Sequence, residues 1–391
     1  MLKRIVALSF CLRRRSVYHA RDRRRRGCVN EDLGDRRPSF PRLAFLGALS
    51  GAVPRAVMVC LGDMTAHSSP APVTAFTGPA LALDFPDLHI GVAEYEAGPT
   101  GATVFYFPAG AMAAVDVRGG AAATVNTERL RLGHERPTVR AVVLAGGASF
   151  GLEAAAGVMS GLLERNRQMT HWEHVPTVTG AVVYDFRHRS NAIYPDKNLG
   201  RAALESARPG HFPLGARGAG RCVHVGKLFG PRYMESAGQG GAFRQVGRTK
   251  IAVFAVVNAV GAIVDRQGRV LRGNRAPESD LRTSFAADLL DGTGQRKRQL
   301  DATPGVPLEN TTLTVLVVNR RMRHLELGRL AIQTHTSMAR AIQPFHTEHD
   351  GDVLFAVSTG EVEDGDVAAN DLAIHTGEVA WDAVLSSWGE P

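Results

Sequence analysis

A chain of 391 residues with 44% hydrophobic and 21% charged side chains is long enough to bury a large core, as one domain or two. Its formal charge of +8 is not the footprint of a nucleic-acid binder. Residues 1–57 carry 14 Lys/Arg against 4 Asp/Glu, so everything after them is slightly acidic, and no nucleic-acid partner is expected. Cys11, Cys28 and Cys60 share that N-terminal region. Cys222 alone in the body cannot build a disulfide framework, which points to a reducing, cytoplasmic setting.

Residues 1–63 read as a disordered basic tail, or as sequence upstream of a true start at Met58 or Met64. Their apolar run Ile5–Leu12 is too short to span a bilayer and meets Arg13-Arg14-Arg15 at once. Arg36-Arg37 ahead of Leu43–Leu61 is a faint twin-arginine pattern. No segment has the length and hydropathy of a transmembrane helix, so no membrane partner is expected. Residues 64–84, Pro/Ala/Thr-rich from Pro70 to Leu83, read as linker, with the folded body starting near Phe85.

Within the body, His89–Ala93 and Ala102–Phe107 read as strands between Gly/Pro turns. Arg118-Gly-Gly-Ala121 and Ala145-Gly-Gly-Ala148 are backbone-permissive turns. The apolar strand Ala141–Ala145 runs towards a helix over Gly151–Leu163, rich in alanine and helical in period. Ile251–Val257, the turn Asn258-Ala-Val-Gly261 and Ala262–Asp265 read as a hairpin. Residues 271–310 are polar and weakly patterned apart from Phe285–Leu290. A β-branched run, Thr311–Val318, then reads as a buried strand. Leu327 to Ile342 falls at helical spacing and ends before Pro344. The charged loop 344–352 leads into the strand Val353–Val357, and a last helix is expected over about 367–386. Strands and helices mix without a βαβ rhythm, which predicts a layered α+β sandwich.

Three stretches carry candidate chemistry. Gly147-Ala-Ser149-Phe-Gly151 lies between a strand and a helix, the setting of a nucleophile elbow, and makes a Ser149-based α/β-hydrolase one reading. Its bland counterpart is a set of small residues that lets a helix pack closely on its strand. His346-x-x-His349-Asp350-x-Asp352 has the residue types of a metal site, but not a spacing known for zinc or calcium, and no metal is assigned. Asn310-Thr311-Thr312 fits a glycosylation sequon, which has meaning only in a secreted eukaryotic protein. If the chain were cut before Thr311, that residue would carry a free α-amine beside its own hydroxyl, a recognised way to activate threonine.

Ordered motifs favour the third stretch. They include Asp84-Phe-Pro, Glu96-Ala-Gly-Pro-Thr-Gly-Ala-Thr103, Asp116-Val-Arg-Gly-Gly120, Leu144-Ala-Gly-Gly-Ala148, Tyr184-Asp-Phe and Tyr194-Pro-Asp-Lys197. Gly226-Lys227, Gly238-Gln-Gly-Gly-Ala-Phe243, Asn310-Thr-Thr312, Ile342-Gln-Pro-Phe-His-Thr347, Asp350-Gly-Asp352, Leu354-Phe-Ala356 and Trp381-Asp-Ala-Val384 continue them. On these residues the chain from about Phe85 to Ala383 resembles the DmpA-like P1 family of self-cleaving N-terminal-nucleophile hydrolases. Within it the chain looks most like the nylon-oligomer (6-aminohexanoate-oligomer) endo-hydrolases.

The resemblance implies an αββα sandwich, cut between Asn310 and Thr311 into an α-subunit (85–310 of the body) and a β-subunit (311–391). It implies Thr311 as nucleophile, surrounded by Lys227, Asn258, Asp350, Asp352 and Tyr184, with no cofactor. The substrates it implies are linear amides such as 6-aminohexanoate oligomers. An aminopeptidase or β-peptidyl aminopeptidase is the alternative within the family. It also implies a homo-oligomer, a tetramer of αβ units. The chain departs from the pattern at Asn258-Ala259, where the nylon hydrolases have Asn-Pro, and across residues 271–310.

Elementary titration ranks the implied roles. An α-amine titrates about one unit above neutrality and a lysine ammonium more than three above it, so neutralising them costs roughly 1.4 and 4.6 kcal/mol. The α-amine of a cut Thr311 is therefore the more accessible base, leaving Lys227 to orient the hydroxyl or offset negative charge. Asp350 and Asp352 suit holding the amine, and Asn258 suits donating to an oxyanion.

Overall fold

The computed structural model describes residues 70–135, 137–187, 189–300, 310–363 and 366–389. The expected tail or displaced start at 1–63 lies outside the described residues. Strands β1 (Ala80–Ala82), β2 (His89–Tyr95), β3 (Thr100–Val117), β4 (Thr124–Val125) and β5 (Thr138–Ala145) precede helix α1 (Glu153–Arg165). Strand β6 (Val178–Val182), helix α2 (Lys197–Glu205) and the short strands β7 (His211–Pro213), β8 (His224–Val225) and β9 (Glu235–Ser236) follow. Then come β10 (Gln239–Val246), β11 (Thr249–Asn258), β12 (Ala262–Val264) and β13 (Val270–Arg272), with helices α3 (Phe285–Leu290) and α4 (Thr293–Leu300). Strand β14 (Thr311–Arg320), helix α5 (His324–Ser337), strands β15 (Ile342–Gln343) and β16 (Val353–Val362), and helix α6 (Ala369–Leu385) complete the body.

The main sheet runs β10-β11-β14-β16-β3-β5-β6-β4, with β2 also on β3. Its two halves share β3. Residues Ala102–Tyr106 pair with both β2 and β5, whereas Met112–Val117 pair with β16. The register against β5 slips between Tyr106 and Ala111, at Pro108-Ala109-Gly110. A proline inside a long strand is tolerated at such a bulge, and the bulge bends the strand. The bend folds one half of the sheet over the other, so that Phe105 of β3 meets Phe254 of β11 at 4.9 Å between ring centroids.

Strand alternation then separates two cores. Phe105 and Phe107 of β3 and Val142 and Leu144 of β5 face inward, sharing one core with β11, β14 and β16. Their neighbours Ala102, Val104, Ala141 and Val143 face outward onto α1 and α2, meeting Ala154, Val158, Leu199 and Ala203. On the opposite layer α5 and α6 cover β10, β11 and β16 through Leu327, Leu330, Val379 and Ala383. The result is the expected αββα layering. Strand β14 is buried on both faces, so its apolar run is continuous rather than alternating.

Several local expectations change. Strand β12 does not pair back on β11; it joins a three-stranded sheet with β13 and β15. The true hairpin is β10–β11, closed by Gly247-Arg248 with Gly247 at φ +56, the left-handed first position that a tight two-residue turn needs. The helix expected to reach Ile342 stops at Ser337, and Ile342 enters β15. Residues 271–300 are organised rather than loose. The α4 side chain Lys297 donates to Asp288 (2.7 Å), Thr283 (3.0 Å) and Asn274 (3.1 Å), a buried polar anchor that hydrophobic periodicity does not register. Backbone pairing also begins ahead of Phe85, with Val73 bridging Glu94 and β1 pairing with β7.

Candidate active site

Three chain segments converge on the head of β14. Thr311 pairs with Asn258, the last residue of β11, in antiparallel register. On the other side Asn310 bridges Asp350, just before the parallel β16. Residues 258, 311 and 350–352 are thus brought together by strand ends that meet at one edge of the sheet. Thr311 is 6% exposed. Its hydroxyl donates to the carbonyl oxygen of Asn310, the residue before it, and the Gly351 N–H donates to the same oxygen at 2.7 Å. The carbonyl of the 310–311 peptide therefore lies between the Thr311 hydroxyl and a fixed backbone donor.

Both aspartates are buried and held by hydrogen bonds. Asp352 accepts from Thr312 N–H at 2.6 Å on one oxygen and from His346 on the other. Asp350 accepts from the Thr347 N–H (2.9 Å) and hydroxyl (2.7 Å), with Val260 N–H at 3.4 Å on its second oxygen. Burial pushes the Asp350 carboxyl up from its ordinary range, and the charge of Asp352 adds to this, against the opposing Thr347 hydrogen bonds. The turn that carries them rests on the end of β3: Arg118 N–H donates to Asp352 O at 3.1 Å and Ala121 N–H to Asp350 O at 2.9 Å. Gly119 makes this possible. A Cβ there would stand 2.2 Å from Asp350 O and 2.3 Å from Asp352 N.

Lys227 is 2% exposed, and its Nζ donates to Asn258 O (2.7 Å) and Asn258 Oδ1 (2.8 Å). His224 N–H donates to the same Oδ1 at 3.1 Å, which fixes the orientation of the amide. Asn258 Nδ2 then donates to the backbone oxygen of Tyr184 at 3.1 Å. Of the residues named from the sequence, Thr311, Asn258, Asp350 and Asp352 are thus joined directly by β pairing or through the 350–352 turn. Lys227 and Tyr184 attach through Asn258.

Ser149 stands apart. It is exposed on the 3₁₀ turn 148–152, and no hydrogen bond ties it to a base among the described residues. The strained residue there is Ala148, at φ +49, not the serine that an elbow would strain. A Cβ on Gly151 would fall 1.8 Å from Gly146 O, so small residues here serve close packing. The donors of the 346–352 loop are turned onto one another: His346 bonds Asp352, and His349 sits exposed beside Glu348. Cys222 is half-buried, and burial raises its thiol. Sequence reasoning missed Thr347, Gly351 and His335. Thr347 and Gly351 lie inside quoted motifs, but their partners are set by tertiary contact alone.

The model of peptidase family S58 matches residues 82–387. The chain is 45% identical over 327 residues to a 6-aminohexanoate-oligomer endohydrolase of Paenarthrobacter ureafaciens, spanning 81% of this chain and 88% of that one. It is 35% identical over 264 residues to an uncharacterized aminopeptidase of Mycobacterium bovis, spanning 67% and 74%. The solved L-aminopeptidase D-Ala-esterase/amidase of Ochrobactrum anthropi, described as a variant of the Ntn hydrolase fold, superposes with a TM-score of 0.56 at 16% identity, over 80% of this chain and 89% of that one. A Burkholderia sp. beta-aminopeptidase gives 0.54 at 14% identity, over 80% and 88%. With the αββα layering and the strand-end site, these likenesses place the chain in peptidase family S58 as a hydrolase of peptide or amide bonds on the Ntn-hydrolase fold.

Proposed function

We propose that the chain cuts its own Asn310–Thr311 bond and that Thr311 then acts as an N-terminal nucleophile on linear amides such as 6-aminohexanoate oligomers. The observation that carries this is the contact of the Thr311 hydroxyl with the carbonyl of the bond before it, at the head of a strand buried from Thr311 to Asn319 and flanked by β11 and β16. Attack by Oγ on the Asn310 carbonyl carbon breaks the peptide C–N bond and leaves an ester. Water then releases an Asn310 carboxylate and a Thr311 bearing both amine and hydroxyl. In the cut enzyme that amine takes the hydroxyl proton and Oγ attacks the substrate carbonyl; the substrate C–N bond then breaks, the leaving amine takes the proton, and water hydrolyses the acyl-enzyme. Lys227 and Asn258 form one polar wall beside the nucleophile, and Asp350 and Asp352 form the other.

An apolar cavity of about 310 Å³, lined by Leu228, Ala262, Val264, Phe285 and Pro344, has a surface that suits the methylene run of such a substrate, and its lining holds none of the site residues. The larger cavity, about 670 Å³ and lined by Arg140, Arg165 and Arg321, contains none of the site residues. A denaturing gel with N-terminal sequencing tests the first step: a small fragment beginning Thr311-Thr312 is expected, and its absence from active protein overturns the proposal. Thr311→Ala should remove both scission and turnover. Incubation with aminohexanoate oligomers tests the second step. Internal cuts support the endo-hydrolase, whereas release of single units from the amino end only supports the aminopeptidase reading. Light scattering on the cut enzyme tests the expected tetramer.

A further inference from the structure

Asp352 is gripped from behind by a residue to which the chemistry above gives no part. Its Oδ2 accepts from the His346 backbone N–H at 3.1 Å and from His346 Nδ1–H at 2.9 Å, while its Oδ1 takes Thr312 N–H. One residue can present both donors to one oxygen here because His346 sits in the left-handed region, at φ +59. That conformation costs a non-glycine residue roughly 1–2 kcal/mol, and a loop free of other demands would place Gly or Asn there. Retained strain of this kind marks positions that the surroundings over-determine.

The surroundings are unusual. His335 of α5 is completely buried and sets its ring at 4.3 Å and 80° to that of His346. His335 Nδ1 bonds Asp116 Oδ2 at 2.9 Å, and Arg118 Nε donates to that oxygen at 2.7 Å. Each Nδ1 faces a carboxylate oxygen at 2.9 Å, which makes Nδ1 the ring nitrogen placed to donate. Both Nε2 atoms are buried without a hydrogen-bond partner among the described residues. A continuous series, Arg118–Asp116–His335–His346–Asp352–Thr312, thus runs from the end of β3 to the peptide next to the nucleophile.

We infer that His346 is a positioning residue for the Thr311 centre, a role that rests on Thr311 being the nucleophile. Its Nδ1–H fixes the rotamer of Asp352, Asp352 fixes the Thr312 peptide, and that peptide sets where the Thr311 hydroxyl and amine point. The His335–Asp116 pair packs edge-on against the imidazole and keeps it from turning. No proton needs to move along the series.

The test uses the full chain after self-cleavage, with His346→Gly and His346→Asn. Both replacements accept the left-handed conformation, so the loop backbone is kept. Only asparagine returns a side-chain donor near the place of Nδ1. H346G is expected to lower kcat on an aminohexanoate oligomer by about ten- to a hundredfold with little change in KM, as for a displaced catalytic group. H346N is expected to recover most of that loss, and added imidazole to restore part of it in H346G, with thermal midpoints close to the parent. An unchanged kcat in H346G overturns the inference, and so does an equal loss in the two variants when both are folded. Should H346G not accumulate as folded protein, H346N decides alone: kcat within about threefold supports the role, and a fall beyond about tenfold overturns it. Failure of the underlying reading is seen separately, as turnover that survives Thr311→Ala.

Discussion

Replacing Gly119 by alanine should disable the centre without touching any reacting group. The new Cβ would lie 2.2 Å from Asp350 O and 2.3 Å from Asp352 N, where ordinary contact begins at 3.4 Å. The turn carrying both aspartates, or the end of β3, must therefore give by about 1.2 Å. Its hydrogen bonds from Arg118, Gly119 and Ala121 resist that movement. Overpacking of this kind costs about 1–3 kcal/mol, a fall of several degrees in thermal midpoint. The effect on rate is larger, because a displacement near 1 Å at a reacting centre costs roughly a hundredfold. Appearance of the small fragment on a denaturing gel and kcat of the cut enzyme are the two readouts, and both should drop. Gly328→Ala in α5 is the control. Its Cβ would have no neighbour nearer than 4.0 Å, so helix propensity alone should stabilise it by up to about 1 kcal/mol, with neither rate changed. Normal scission and turnover in G119A beside a well-behaved G328A would refute the claim that the 350–352 turn must sit where it does.

Lys227→Met keeps the length of the side chain and removes both hydrogen bonds to Asn258. A stability loss of about 1–3 kcal/mol and at least a tenfold fall in kcat are expected from thermal denaturation and steady-state kinetics. Asp350→Asn should change the pH dependence of stability. The raised Asp350 carboxyl binds its proton more tightly in the folded than in the unfolded chain. Its contribution is therefore favourable below its folded value and is lost as pH rises from the unfolded carboxylate range through that value. Thermal midpoints across pH should fall less steeply in D350N, and identical slopes would count against the assignment. Lys297→Met strands the buried Asp288 carboxylate, a change worth about 3–5 kcal/mol when a buried pair loses one member. Opening should be confined to α3 and α4, seen as new protease sites within residues 285–300.

Much of the layering is written in local pattern. The β-branched run from Thr311 and the apolar strand Ala141–Ala145 each show which way the chain is buried, and the alanine-rich stretch after Gly151 shows its helix. Where that reading fails, the cause lies in partners far along the chain. Asn258-Ala-Val-Gly261 looks like a hairpin turn, yet it carries the chain from the main sheet to a separate small one. Only the pairing of β12 with β13 and β15 reveals this. The Gly147–Gly151 stretch has a catalytic spelling and a packing use: a Cβ on Gly151 would meet Gly146 O, and among the described residues no hydrogen bond ties Ser149 to a base. Gly119 shows in the sequence only as part of a permissive Gly-Gly turn within a quoted motif, since the contact that requires it comes from a loop more than 200 positions later. His335 is an unremarkable polar residue on α5 until Asp116 and His346 are seen beside it.

Strand β14 is held on one side by β11 from Asn258↔Thr311 to Ile251↔Val318, and on the other by β16 from Leu313↔Val353 onward. The position of Thr311 is therefore an indexed one. It can shift along the strand axis only if two ladders slip together, and a slip of one residue would turn every buried side chain of β14 to the opposite face. The threonine thus borrows the stiffness of a whole sheet rather than that of the loop before it. Alignment errors at the hydroxyl should then track disturbances deep in the hydrophobic interior, at positions such as Phe254 or Val315, as closely as changes in the polar groups around it.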